Sequence, residues 1–100
     1  MSEDRSLDER IADQPYDKVT MDGIGSRVVK TEFIVLPNST VTLCNITLDN
    51  GYSVRGESAC VDKRNFNLKI GEELAEKDAL SKMWALEGYL LAERKWQAGK

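Results

Sequence analysis

The stretch TVTLCNITLDNGYSVRGESAC, residues 40–60, decides the fold. Two runs with alternating and β-branched residues flank Asp49-Asn50-Gly51, and Asn-Gly is the strongest short-range hairpin signal because both residues tolerate positive φ. The spacing predicts strands over 40–48 and from Tyr52 to Cys60. If Asn50-Gly51 is a two-residue turn, Asp49 faces Tyr52. One face then carries Val41, Leu43, Asn45, Thr47, Tyr52, Val54, Gly56, Ser58 and Cys60. The other carries Thr42, Cys44, Ile46, Leu48, Ser53, Arg55, Glu57 and Ala59. Both faces are mixed, as expected where one covers the core and the other meets a second subunit or a ligand. This register separates Cys44 from Cys60, so both are expected to be buried free thiols.

Working outward, residues 28–36 (VVKTEFIVL) read as a further strand, and Pro37-Asn38-Ser39 as the turn that follows it. Asp62 to Asn65 form a loop, with Asp62 or Asn65 able to cap a helix. From Phe66 the period changes. Ile70, Leu74, Ala75, Ala79, Leu80, Met83 and Trp84 recur at helical spacing. Gly88 predicts a break, followed by a second helix or a tail. Residues 1–22 read as a polar arm in which Leu7, Ile11 and Ala12 can share a short helix stopped by Pro15. Gly23 to Ser26 read as a flexible joint. The order predicts an α+β domain over 27–100: a small antiparallel β-sheet of three strands under a C-terminal helix, with residues 1–26 as an acidic N-terminal arm.

The chain has 100 residues and a formal charge of -3. That size supports one thin core, which oligomerisation would extend. Residues 1–22 hold seven acids and three bases, and the rest ten acids and eleven bases. The acidity belongs to the arm, and this balance does not suit a partner that is a nucleic acid polymer. No apolar run is long enough for a membrane span, and the N-terminus lacks a secretory pattern, so a cytoplasmic location is expected. With no histidine and two cysteines, Ser-His-Asp and Cys-His chemistry and the common His-containing zinc sites are excluded. Gly56-Glu57-Ser58-Ala59-Cys60 imitates a nucleophile elbow but lacks its second glycine and its base. No enzyme and no cofactor is expected.

The run NGYSVRGESACVDKRNF, residues 50–66, gathers two aromatics, two arginines and a lysine. Tyr52 either stacks on a base or packs across the strand pair. Arg55, Lys63 and Arg64 either contact phosphate, which a guanidinium fork suits, or form a solvated basic loop. Asn65 either caps or reads a base edge. Phe66, Met83 and Trp84 suit a core, and Trp96 suits a subunit contact.

Five blocks in order add a resemblance: TLDNGY (47–52), GESAC (56–60), NF (65–66), ALSKMW (79–84) and LEGYLL (86–91). Residues 41–91 resemble a family of small tailed-phage proteins of the gene product 49/gene 66 type, with the N-terminal arm outside the resemblance. Family members often carry proline where this chain has Ala85, which agrees with a break there. Phage Thoeris anti-defence proteins look related to this family. The resemblance implies a phage or prophage protein in the bacterial host cytoplasm that holds a cyclic nucleotide signalling molecule without cleaving it. The ligand would be a cyclic ADP-ribose isomer or a cyclic oligonucleotide, held by a homo-oligomer, dimer or hexamer. The residues it suggests are Tyr52 or Phe66 to stack adenine, Asn65 for a polar edge, and Lys30, Arg55, Arg64 or Lys82 for pyrophosphate. The other reading is a phage structural or host-protein-binding protein with no small ligand.

Overall fold

The computed structural model describes residues 17–100. The short helix expected around Leu7 and Ile11 lies outside them. Helix α1 (Met21–Arg27) opens the described chain, capped by the Thr20 hydroxyl, which accepts the Gly23 N–H at 3.0 Å. The expected joint at Gly23 to Ser26 is therefore helical. Ile24 explains why: it is buried in the core and anchors the turn.

Strands β1 (Val28–Val35), β2 (Val41–Leu48) and β3 (Ser53–Ala59) follow, in the antiparallel order β1-β2-β3. A 3-10 turn (Lys63–Asn65) leads to helix α2 (Leu68–Ala98), which crosses one face of the sheet. The predicted α+β architecture is the observed one. Asp62 caps the 3-10 turn, whereas Asn67 caps α2 through its Oδ1 and the Ile70 N–H; Asn65 caps neither.

The hairpin register differs from the expected one by a residue. Thr47 faces Ser53, Ile46 faces Val54, Cys44 faces Gly56 and Thr42 faces Ser58. The loop has three residues, Asp49 to Gly51. The Leu48 N–H reaches the Tyr52 carbonyl at 2.8 Å, and only Gly51 takes a positive φ, +89°. This is the three-residue hairpin loop, in which a single left-handed residue follows the turn. The consequence is a clean division of faces. Thr42, Cys44, Ile46, Leu48, Val54 and Gly56 are buried, while Arg55 and Glu57 lie on the opposite, open face. The two-residue loop would have turned both charges toward the helix, and burying unpaired charge is costly. The thiol argument changes with it: Cys60 shares a sheet side with Cys44 and is half-buried rather than buried, yet both cysteines are free. Burial pushes the Cys44 thiol up to about 11, with a further push from the Glu76 charge.

Helix α2 packs on β3 and β2 and barely reaches β1. Its buried seam is Gly71, Ala75, Ala79 and Met83, one residue per turn. The small residues admit a close approach: a Cβ on Gly56 would stand 2.2 Å from the Ala75 carbonyl oxygen and 2.3 Å from the Ala79 nitrogen. The break expected near Ala85 and Gly88 is absent. One glycine costs about 1 kcal/mol in a helix, and Glu87, the residue before Gly88, is tied to Arg27 at 3.0 Å.

Candidate functional site

The site is built where β3, the hairpin and the middle of α2 converge. Tyr52 closes the loop, its N–H donating to Asn50 Oδ1 at 3.0 Å, and its side chain is exposed. Arg55 rises from the open face of β3. Its Nη1 donates to Asn45 Oδ1 at 3.3 Å across the strand pair and to Ser53 Oγ at 3.2 Å. Both acceptors are neutral, and no carboxylate lies within ion-pair distance of Arg55 among the described residues. Lys82 reaches over from α2, donating from Nζ to the Arg55 carbonyl at 2.8 Å and lying 3.5 Å from Asp78.

Tyr52, Arg55 and Lys82, with Ser53, Ala85 and Leu86, line a concavity of about 410 Å³. Its lining combines aliphatic residues, Val54 among them, with two cations and one aromatic residue. Small-ligand sites have this composition: an apolar wall with a few placed polar groups. A guanidinium held by neutral partners keeps its charge available to an anion.

The other expected residues lie elsewhere. Asn65 and Phe66 line a smaller hollow of about 150 Å³ beside the start of α2, with Thr40, Ser58, Cys60 and Ile70. Arg64 is turned back on Asp62, whose carboxylate accepts its Nε and its Nη2, the latter at 2.6 Å, and also its backbone N–H. These bonds hold the Asp62 carboxyl below the ordinary carboxylate range. Lys30 sits on β1, at the far edge of the sheet, 3.3 Å from Glu32. The seven expected residues thus form one group of three, a separate pair, and two cations engaged with acids.

Sequence reasoning missed Asn45, Ser53 and Asp78, which orient the site. Asn45 and Ser53 are legible once the register is right, because both then share the open face with Arg55. It also missed Arg27. This side chain bridges Asp49, at 3.0 and 2.9 Å, and Glu87, at 3.0 Å, locking α1, the hairpin loop and α2 together. Its bond to Asp49 comes first among the causes that raise its pKa. A second concavity of about 410 Å³ surrounds this bridge, lined by Lys18, Arg27, Asp49, Glu87 and Arg94. There the Arg27 charge is already answered by two carboxylates, so the hollow suits an anion less well than the Tyr52 site.

Residues 4–95 match the Phage protein (N4 Gp49/phage Sf6 gene 66) family. The chain belongs to this family. The match takes in most of the N-terminal arm, which the five sequence blocks had left outside. No curated protein and no solved structure shows significant similarity to the chain. No described helix is long and apolar enough to cross a membrane, and no group of three or more acids or cysteines among the described residues could hold a metal ion.

Proposed function

We propose that this phage-family protein is an anti-defence sponge. It binds and sequesters a cyclic nucleotide immune signal, a cyclic ADP-ribose isomer or a cyclic oligonucleotide, in the host cytoplasm, as a homo-oligomer and without cleaving it. One observation supports the reading: Tyr52, Arg55 and Lys82 line one concavity at the β3 edge, with the Arg55 guanidinium held on neutral partners and the Lys82 ammonium on the Arg55 carbonyl. In this reading Tyr52 stacks on the base, Arg55 engages the pyrophosphate, and Leu86 and Ala85 exclude water beneath the ribose. Retention without turnover is part of this proposal. What supports it is a lining with two cations and an aromatic residue and without a carboxylate, histidine or thiol.

The test is calorimetric titration of the protein with cyclic ADP-ribose isomers and with cyclic di- and trinucleotides, followed by heat denaturation and chromatography of the released ligand. The expected result is tight binding and intact ligand. Arg55→Ala should weaken binding at least about tenfold, the scale of a hydrogen bond to a charged group. Arg64→Ala should leave binding unchanged because Asp62 already occupies that guanidinium. Absence of heat with every nucleotide would favour the protein-binding reading, for which Ile34, 59% exposed on the open sheet face, is the first apolar contact to test.

A further inference from the structure

The two edges of the sheet are treated differently. A strand at the edge of a sheet presents unpaired N–H and C=O groups, which invite another strand. On β3 these groups are answered from α2. The Glu57 N–H donates to Asp78 Oδ2 at 2.9 Å, and the Arg55 carbonyl accepts from Lys82 Nζ at 2.8 Å. One turn of helix thus closes that edge with an acid and a base in the order the backbone requires.

On β1 nothing comparable occurs among the described residues. The Leu36 N–H bonds the Val41 carbonyl, and antiparallel pairing alternates, so Ile34, Glu32 and Lys30 face β2 with their backbone groups. Thr31, Phe33 and Val35 then point theirs outward. No described residue hydrogen-bonds those groups, and α2 barely reaches this strand.

We propose that β1 pairs with β1 of a second copy, antiparallel about a two-fold axis at Thr31, to make a continuous six-stranded sheet. Charge selects the register. Outward-pointing residues must meet outward-pointing residues, so the two-fold axis can fall at any residue from Lys30 to Ile34. An axis at Lys30 sets two ammonium groups opposite each other, and one at Ile34 sets Glu32 against the apolar Leu36. An axis at Glu32 sets the two Glu32 carboxylates opposite each other, which is destabilising. An axis at Phe33 sets Glu32 against the apolar Ile34. An axis at Thr31 sets Lys30 of each copy against Glu32 of the other, twice, on the open face. Both side chains are exposed there. The pairing irregularity between Val28 and Lys30 ends the regular edge, so the paired segment is short and the charge pairs decide its register. The interface lies on the opposite edge from the Tyr52 concavity. It gives the proposed homo-oligomer a geometry, yet it stands whether or not that concavity holds a nucleotide.

Sedimentation equilibrium of the full chain, without added ligand, tests it. The wild type should be a dimer or an assembly of whole dimers. Thr31→Pro removes an outward N–H and leaves the ladder to β2 intact, because proline is tolerated on an edge. It should halve the assembly while the circular dichroism of the fold persists. Lys30→Glu should also halve it, by setting acids against Glu32, and Lys30→Glu with Glu32→Lys in one chain should restore the wild-type mass. A monomeric wild type overturns the proposal. So does an assembly that both Thr31→Pro and Lys30→Glu leave intact, or a double variant that stays dissociated. Titrating nucleotide into the wild type and into the Lys30→Glu variant separates the two proposals: binding by a dissociated Lys30→Glu variant leaves the sponge standing, and a wild-type dimer that binds no nucleotide but dissociates on Lys30→Glu leaves this one standing.

Discussion

The two halves of α2 do different work. Residues 68–83 present Gly71, Ala75, Ala79 and Met83 to the sheet, all buried. Residues 84–98 carry Leu86, Tyr89 and Trp96 in the open, with Trp96 taking the Lys100 ammonium over its ring at 3.7 Å. A 31-residue helix is about 46 Å long, whereas an eight-residue strand spans only about 27 Å. The sheet can therefore cover little more than half of the helix. The covered half sets the backbone-to-backbone distance, with small residues at Gly71, Ala75 and Ala79 where the helix lies closest and Met83 at its far end. The second half is held by ion pairs, Arg27 to Glu87 and Lys95 to Asp17. Substitutions in the first half should therefore act on folding, and those in the second on local order and binding.

The most direct way to break the contrast is Gly56→Ala. The added methyl would meet the backbone of α2 at Ala75 and Ala79, and backbone cannot rotate aside. The expected loss is about 3 kcal/mol or more, a large share of the roughly 5–15 kcal/mol that holds a domain of this size. Urea unfolding should show either a much lower midpoint or no cooperative transition. Met83→Ala comes next. It empties the largest side chain of the seam, and the cost should fall near the lower end of the roughly 2–5 kcal/mol range, because the uncovered flank over β1 leaves the site free to relax. A loss below 1 kcal/mol would mean that the seam is not the core.

The seam and the sheet were readable in advance to unequal degrees. Asn50-Gly51 announced the hairpin, and the 3.6-residue period announced α2. The register is not legible from the turn residues alone, because Asn50-Gly51 fits a two-residue loop as well as the end of the three-residue loop Asp49 to Gly51. The mixed faces that the two-residue loop produces, with Arg55 and Glu57 beside Cys44 and Ile46, are themselves the sign of a one-residue slip. Shifting by one residue sets Val54 and Gly56 against Ile46 and Cys44 and removes both charges from the core side. Gly88 misled for a different reason. A local preference of about 1 kcal/mol loses to a tertiary tie, and the tie between Arg27 and Glu87 joins residues 60 positions apart. The site was half legible. Tyr52 and Arg55 are neighbours in sequence, but their meeting with Lys82 depends on how α2 crosses β3. The engagement of Arg64 with Asp62 is a local contact, two residues away, that charge type alone did not reveal.

Gly88→Ala sharpens the comparison from the other side. A Cβ at Gly88 meets nothing within 4 Å, so the methyl adds helix propensity without a clash. The expected effect is a stabilisation of about 0.5–1 kcal/mol, with a melting temperature a few degrees higher. Destabilisation would show that the second half of α2 packs against something the glycine makes room for. Alanine at Gly56 and alanine at Gly88 should therefore move stability in opposite directions, although both replace a glycine.

The smallest expected effect lies at the join of the two halves, in the Asp78 carboxylate. Its bond from the Glu57 N–H, and secondarily the nearby Lys82 charge, hold its pKa below the ordinary value of 3.8. A depressed folded-state pKa means that the contribution is complete above the unfolded value and disappears as pH falls through the lower, folded one. The Glu57 amide proton should report this directly. Its resonance should stay constant from neutral pH down through the ordinary aspartate range, then shift at a midpoint below 3.8, while Asp78→Asn abolishes the transition. A midpoint at or above 3.8 would mean that the carboxylate does not seal the β3 edge in solution. Both edges of the sheet would then be open, and the Lys30 and Glu32 pairs would be the one remaining reason for the chain to choose β1 when it meets a second copy.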